Sequence, residues 1–411
     1  MPKPASTKAF DNSELTHPFA QQAPSGRRQF LKRLAMMGLL GAGGSFSSLA
    51  KGDSQVTTTR PGGFKTGVAL DPFFFKHDMP DHPEGADRLK AIDALMEKQA
   101  LWPQLKPVKT RLASREELAW VHDAGYISEI EAMSEHAGDQ VDFYDPYAGD
   151  TYINQHSFAA ARMAAGSHIE MNLAIYDRQL DHGMALLRPP GHHALKNKAM
   201  GFCLFNSDMI AARALQQYRG VKKIAIIDFD VHHGNGTQAL SKDDPNIMAI
   251  SIHQHPFWPM TGGANLDQIK HAPGTVINLP FQKGAGDATY LDAYDQIIHS
   301  QLEAFAPEHI LVFAGFDAHW LDPLAEHRMS VLGFNKLVKK CMQSASQLCQ
   351  GRIGFSLGGG YNLESLAHCT VGTLHTLLDT PTQFENPLGP PSLGEVDYSD
   401  TLAKLKAQFL S

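Results

Sequence analysis

The chain has 411 residues, 43% hydrophobic and 19% charged, a composition that suits one large α/β domain or two smaller ones. A formal charge of −7 disfavours a nucleic-acid partner, and neither a basic face nor a repeat is visible. The four cysteines (Cys203, Cys341, Cys349 and Cys369) form no C-x-x-C pair, which argues against a cysteine-type zinc site and a disulfide framework.

Residues 1–25 are polar and rich in Pro, Ser and Gln. Gly26-Arg27-Arg28-Gln29-Phe30-Leu31-Lys32 follows, then an apolar run from Leu34 to Leu49 diluted by Gly and Ser. A basic stretch, a short apolar stretch and small residues around Ala50 form the layout of an export signal. The paired arginines before x-Phe-Leu-Lys resemble the twin-arginine type, with Gly26 where Ser or Thr is usual. A permanent span needs ~20 apolar residues, and this run is shorter and glycine-rich. Residues 1–50 hold six Lys/Arg against two Asp/Glu, so the rest of the chain carries −11. The expected organisation is a signal over 1–50, a linker over 51–63, one domain over 64–380 and an extension over 381–411. The mature protein is expected to be periplasmic or secreted, with no stable membrane span.

Beyond Gly63, apolar runs alternate with helix-length amphipathic segments. Strands are expected at 184–187, 224–227, 247–252, 310–313 and 353–357, and helices at 157–176, 205–218, 289–305, 333–348 and 363–378. Strands separated by helices predict a parallel sheet covered on both faces. Polar residues follow every strand: His192 and His193 after the first, Asp228 to Asn235 after the second, and His253, His255 and Trp258 after the third. Asp317, His319 and Asp322 follow the fourth, and Gly358 to Asn362 the fifth. In a parallel sheet these ends share one edge, where open α/β folds bind ligands.

Ile224-Ala-Ile-Ile227 reads as a buried strand running straight into Asp228, Asp230, His232, His233 and Asn235. Carboxylates and imidazoles in that place are costly to bury without a partner, and a divalent metal is the natural one. Asp230 and His232 sit two apart, so on an extended backbone they point to one side. Asp317 is the best third ligand, and two acids with one imidazole could take zinc, iron or manganese. His192 and His193 are the proton carriers this pattern offers, with Asp228 free to hold one imidazole. Tyr361, behind three glycines, can present a hydroxyl to a developing oxyanion. Phe202 and Trp258 can wall a narrow apolar entrance.

Taken together, His82-Pro83-Glu84 with Arg88, His192-His193, GFCLFN (201–206), DFDVHHGNGTQ (228–238), AGFDAHWLDPLA (314–325) and GGGYN (358–362) resemble the zinc-dependent histone deacetylase family. Asn235, where class I members carry aspartate, makes the chain similar to class II and bacterial deacetylase-like amidohydrolases. The resemblance implies the single-domain arginase/deacetylase α/β fold, a mostly parallel sheet of about eight strands flanked by helices. It assigns Zn2+ to Asp230, His232 and Asp317, backs His192 with Asp228 and His193 with Asn235, and makes Tyr361 the carbonyl donor. A zinc-activated water would then cleave an N-acyl amide. Gly201, Phe202, Trp258, Leu324 and Gly360 would contact substrate, and a structural K+ is implied at Asp228, Asp230 and the backbone near Ser251. Leu324 resembles the acyl-lysine readers, while the nearby Glu326 keeps an acetylpolyamine in view as the alternative substrate. A ureohydrolase would show several more aspartates around Asp-x-His, and a non-catalytic homologue would have lost one of these groups. Oligomeric state is not legible in the sequence.

Overall fold

The computed structural model describes residues 63–145, 150–263, 275–381 and 385–410. The export signal expected over 1–50 lies outside these residues, as does the linker up to residue 62. Ten strands occur among them: β1 (Thr66–Ala69), β2 (Lys106–Pro107), β3 (Val141–Phe143), β4 (Tyr152–Asn154), β5 (His182–Ala185), β6 (Ile224–Asp228), β7 (Ile247–Gln254), β8 (Val276–Phe281), β9 (His309–Ala314) and β10 (Ile353–Leu357). Eight of them form one sheet in the order β2-β1-β5-β10-β9-β6-β7-β8, and every pairing in it is parallel. The remaining two, β3 and β4, make a small antiparallel pair.

Register brings the strand ends level. Asp228 pairs with Ser251 on one side and Phe313 on the other, and Leu357 pairs with Ala314. Loops leaving β6, β9 and β10 therefore start side by side. The helices Ser157–Tyr176 and Ser207–Arg219 pack on each other, and their core takes in Ile224, Ile226 and Leu311 from the sheet. Alternate strand residues turn to the other face. A second helical layer contains Asp87–Lys98, Val331–Leu348 and Leu363–Leu378, packed against one another.

Local chemistry fixes where the helices begin. Asn206, the last residue of GFCLFN, caps Ser207–Arg219 by accepting from the Met209 N–H. Asn362, the last residue of GGGYN, caps Leu363–Leu378 by accepting from the Ser365 N–H. Both motif asparagines thus set the direction in which a site loop enters its helix.

Strand boundaries differ from expectation in instructive ways. The strand expected at 184–187 is shifted to 182–185, because its pairing with β1 and β10 starts at His182. No signal singled out β1, β2 or β8. Only four residues long, β1 is further weakened by Gly67, and β8 contains Pro280, tolerated because β8 is the edge strand. The helix expected at 289–305 is present, with a wider turn over Tyr294–Ile298. At the C-terminus, Ser399–Phe409 is a helix with Leu402 and Leu405 buried, packed against β8 and Asp287–Ala293. No helix among the described residues is long and apolar enough to cross a membrane.

Candidate active site

The side chains of Asp230, His232 and Asp317 offer ligand atoms that all lie within 4.8 Å of one another. His232 Nδ1 is 3.2 Å from Asp230 Oδ1 and 3.1 Å from Asp317 Oδ2. Convergence does not come from an extended strand, since β6 ends at Asp228. Instead the loop is folded by its own amides. The Asp230 N–H donates to Asp228 Oδ1, the His232 N–H to Asp230 Oδ1 and the Val231 N–H to Asp317 Oδ1, at 2.9–3.0 Å. The Gly359 N–H donates to Asp230 Oδ2 at 2.8 Å. A Cβ on Gly359 would stand 2.1 Å from Asp317 Oδ2, so only glycine lets the β10 loop close over both acids. The donor set of two carboxylates and one imidazole, each oriented by amides, fits a divalent ion with one protein side left open.

Beside this trio lie both histidines of the pair, buried. His192 Nδ1 is 2.8 Å from Asp228 Oδ2, and His193 Nδ1 is 2.7 Å from Asn235 Oδ1. Their rings are 3.8 Å apart, so the two cannot comfortably be charged together. Burial disfavours the charged form of His192, but Asp228 and Asp230 outweigh it and raise its pKa. In His193 burial dominates, reinforced by His192 and His232, and the pKa falls well below the ordinary value. One imidazole is thereby biased to carry a proton and its neighbour to stay neutral.

Aromatic rings enclose the trio. Trp258 meets His193 edge to face at 4.6 Å, and Phe257 stacks on His232 at 5.3 Å. Opposite, Phe202 stands edge to face with His82 at 4.9 Å and with Tyr361 at 5.7 Å. Gly201, at φ +56°, separates the walls, and a Cβ there would be 2.4 Å from both His193 and Trp258. Tyr361 is half-buried; burial and the carboxylates of Asp317 and Asp230 push its pKa well above the ordinary value, keeping its hydroxyl a donor.

Beneath Tyr361 is a buried charge network. Glu84 takes Arg188 Nε at 2.6 Å and Arg88 Nη1 at 3.1 Å. Arg88 in turn donates Nε to the Gly360 carbonyl at 2.8 Å and Nη2 to the Gly358 carbonyl at 2.5 Å. Two arginines on one acid leave a positive excess under a loop that faces the site's carboxylates.

The sequence model of the histone deacetylase domain matches residues 82–377. The chain belongs to the histone deacetylase family. Among curated relatives, "Histone deacetylase 14, chloroplastic" of Arabidopsis thaliana is 37% identical over 325 residues, 76% of this chain and 77% of that protein. A "Probable deacetylase" of Archaeoglobus fulgidus is 33% identical over 316 residues, 75% of this chain and 85% of its own length. The crystal structure of the HDA15 HD domain is similar at TM-score 0.74 and 31% identity, covering 84% of this chain and 93% of that one. This histone deacetylase family member is accordingly an amide-hydrolysing deacetylase, in a family where zinc dependence is the norm.

Nearly all the site residues expected from sequence converge in this deacetylase, but some strand-end residues do not. His253 is spent on Ser251 Oγ and the Gly262 carbonyl, and Leu324 is on a half-exposed loop held by Asp322. Sequence reasoning missed Phe257, which looks like any loop aromatic. It also missed what Arg88 does. The i, i+4 spacing of Glu84 and Arg88 was a visible signal, but it reads equally well as a surface helix pair.

Burial disfavours the charged form of His232, but hydrogen bonds and charge from Asp230 and Asp317 outweigh it and raise its pKa, while burial and Asp230 raise that of Asp317. The protonated imidazole is thereby favoured, and it would have to give up that proton to hold an ion. Binding of Zn2+ to the stripped protein at pH 7.5 is expected to release roughly one proton or more, and affinity to fall as pH falls. Calorimetry in buffers of differing ionisation enthalpy reads the number directly; a value of zero contradicts this account.

Proposed function

We propose that this deacetylase hydrolyses the N-acetyl amide of an acetyl-lysine-type peptide or a small acetylated amine, using one Zn2+ held by Asp230, His232 and Asp317. The observation carrying this reading is the trio of ligand atoms within 4.8 Å, set beside an unequal pair of histidines. When bound, the ion supplies Lewis acidity, polarising the acyl carbonyl and making water acidic near neutral pH. His193, kept neutral, accepts the proton from the attacking water at Nε2, since Nδ1 is occupied by Asn235. His192, held by Asp228, steadies the charge that develops, and the pair returns a proton to the leaving amine. Tyr361 donates its hydroxyl to the carbonyl oxygen as negative charge grows there, a contribution of roughly 3 kcal/mol for a donor of this kind. Phe202, Gly201 and Trp258 line the approach of the acyl-bearing arm, with Gly360 shaping the floor. The indole of Trp258 leans onto the Gly201 backbone, favouring short acyl groups. A structural K+ at Asp228, Asp230 and the backbone near Ser251 is supported by the pairing of Asp228 with Ser251 across β6 and β7.

For substrate class, Leu324 offers no charge to a second amine, and Glu326 lies 3.7 Å from Lys283 in an exposed ion pair. The acetyl-lysine reading is therefore preferred over an acetylpolyamine. Export through the twin-arginine route is supported by Arg27-Arg28 and the apolar run behind them, and it places the substrate outside the cytoplasm.

Hydrolysis of a fluorogenic acetyl-lysine peptide is expected to vanish on complete chelation and return with Zn2+; activity that survives full metal removal contradicts the mechanism. Leu324→Glu is expected to raise acetylputrescine turnover relative to acetyl-lysine peptide by about tenfold, the equivalent of ~1.4 kcal/mol. An unchanged ratio shows that this position does not read the substrate. Replacing Arg27 and Arg28 together by Lys in a bacterial host is expected to leave the protein in the cytoplasmic fraction, and continued appearance in the periplasm refutes the export reading.

A further inference from the structure

Asp322 lies five residues past Asp317 in the loop that follows β9, and it is 6% exposed. Its Oδ2 accepts from the Tyr361 N–H at 2.7 Å and the Asn362 N–H at 3.3 Å, while Oδ1 accepts from the Leu324 N–H at 3.0 Å. No cation pairs with it among the described residues, so these amides are what hold the carboxylate. Bonds of this kind, from amides to a buried anion, are short, strong and directional.

The shortest of these bonds holds one end of a peptide group that Arg88 holds at the other. The carbonyl of Gly360 and the N–H of Tyr361 belong to the same plane. Arg88 Nε grips the carbonyl end at 2.8 Å and Asp322 grips the amide end at 2.7 Å. A cation and an anion thus hold the plane from opposite ends. Gly360 sits at φ +117°, a setting that leaves this plane without the usual steric guidance of a side chain. Its orientation decides where the Tyr361 ring starts from and hence where its hydroxyl arrives.

We propose that Asp322 is a positioning residue for Tyr361: by fixing the Gly360–Tyr361 peptide plane opposite Arg88 it aims the tyrosine hydroxyl, and through the Leu324 N–H it ties that aim to the rim loop. This rests on the reading of Tyr361 as the donor to the substrate carbonyl. Substitution Asp322→Asn keeps the shape but turns one of the two acceptor oxygens into an NH2, which leaves one set of backbone N–H groups facing a donor. A donor displaced by about 1 Å costs up to about 100-fold in rate.

The test uses four zinc-loaded proteins: wild type, Asp322→Asn, Tyr361→Phe and the double variant, each with metal content and melting temperature measured. Asp322→Asn is expected to lower kcat by about 10- to 100-fold with KM and zinc content unchanged. In the Tyr361→Phe background the same change is expected to cost less than about twofold, because the aim of an absent hydroxyl no longer matters. A loss that multiplies fully in that background, or a rise in KM at constant kcat, overturns the proposal. If Asp322→Asn does not fold, Asp322→Glu retains the charge, displaces the acceptor by one methylene and is judged by the same criteria. Wild-type kcat in Tyr361→Phe alone overturns the donor role itself, a failure distinguishable because it involves no change at position 322.

Discussion

Two buried carboxylates and an imidazole at the ends of β6 and β9 are held together against a desolvation cost of several kcal/mol per charge, of the order expected for ions moved out of water. Everything near them serves that arrangement. The main-chain amides of Val231 and Gly359 satisfy Asp317 Oδ1 and Asp230 Oδ2, the carboxylate oxygens that do not face His232, and the His232 amide donates to Asp230 Oδ1. In the proposed mechanism a divalent cation would be the remaining partner, letting all three groups keep their ligating protonation states at once. The parallel sheet makes this possible because its register delivers Asp228, Ala314 and Leu357 to the same edge.

The second constraint is the loop over the acids. Three successive glycines permit a close approach, but they also leave the loop with little conformational preference of its own. Glu84, Arg88 and Arg188 restore that preference from below, through carbonyls at 358 and 360. Catalysis by preorganised donors depends on such rigidity, since a hydroxyl that must be reoriented during reaction gives back much of what it contributes. The division of the histidine pair comes from charge set against burial: Asp228 and Asp230 outweigh burial and raise the pKa of His192, whereas burial, with His192 and His232 close by, lowers that of His193.

Much of this was legible in the sequence because the chemistry sits directly behind strands. Ile224–Ile227 ending in Asp228, and Ile310–Phe313 leading to Asp317, state both the strand and its purpose in a single run of letters. Less legible were the elements whose signal is weak or ambiguous. Four residues with a glycine do not advertise β1, and Pro280 masks β8 until its place at the sheet edge is known. The loop from 229 to 234 was expected to bring Asp230 and His232 together by strand alternation, yet backbone hydrogen bonds do it instead. Arg88 and Asp322 act through main-chain atoms distant in sequence, and no local pattern encodes that kind of contact.

The central claim is that one ion is shared by Asp230, His232 and Asp317. X-ray absorption at the zinc edge of the metal-loaded protein addresses it without reference to turnover. The account predicts a first shell of oxygen and nitrogen at about 2.0–2.1 Å with the outer-shell signature of a single imidazole and no sulfur. A sulfur scatterer near 2.3 Å, or the multiple-scattering pattern of two or more imidazoles, would contradict it.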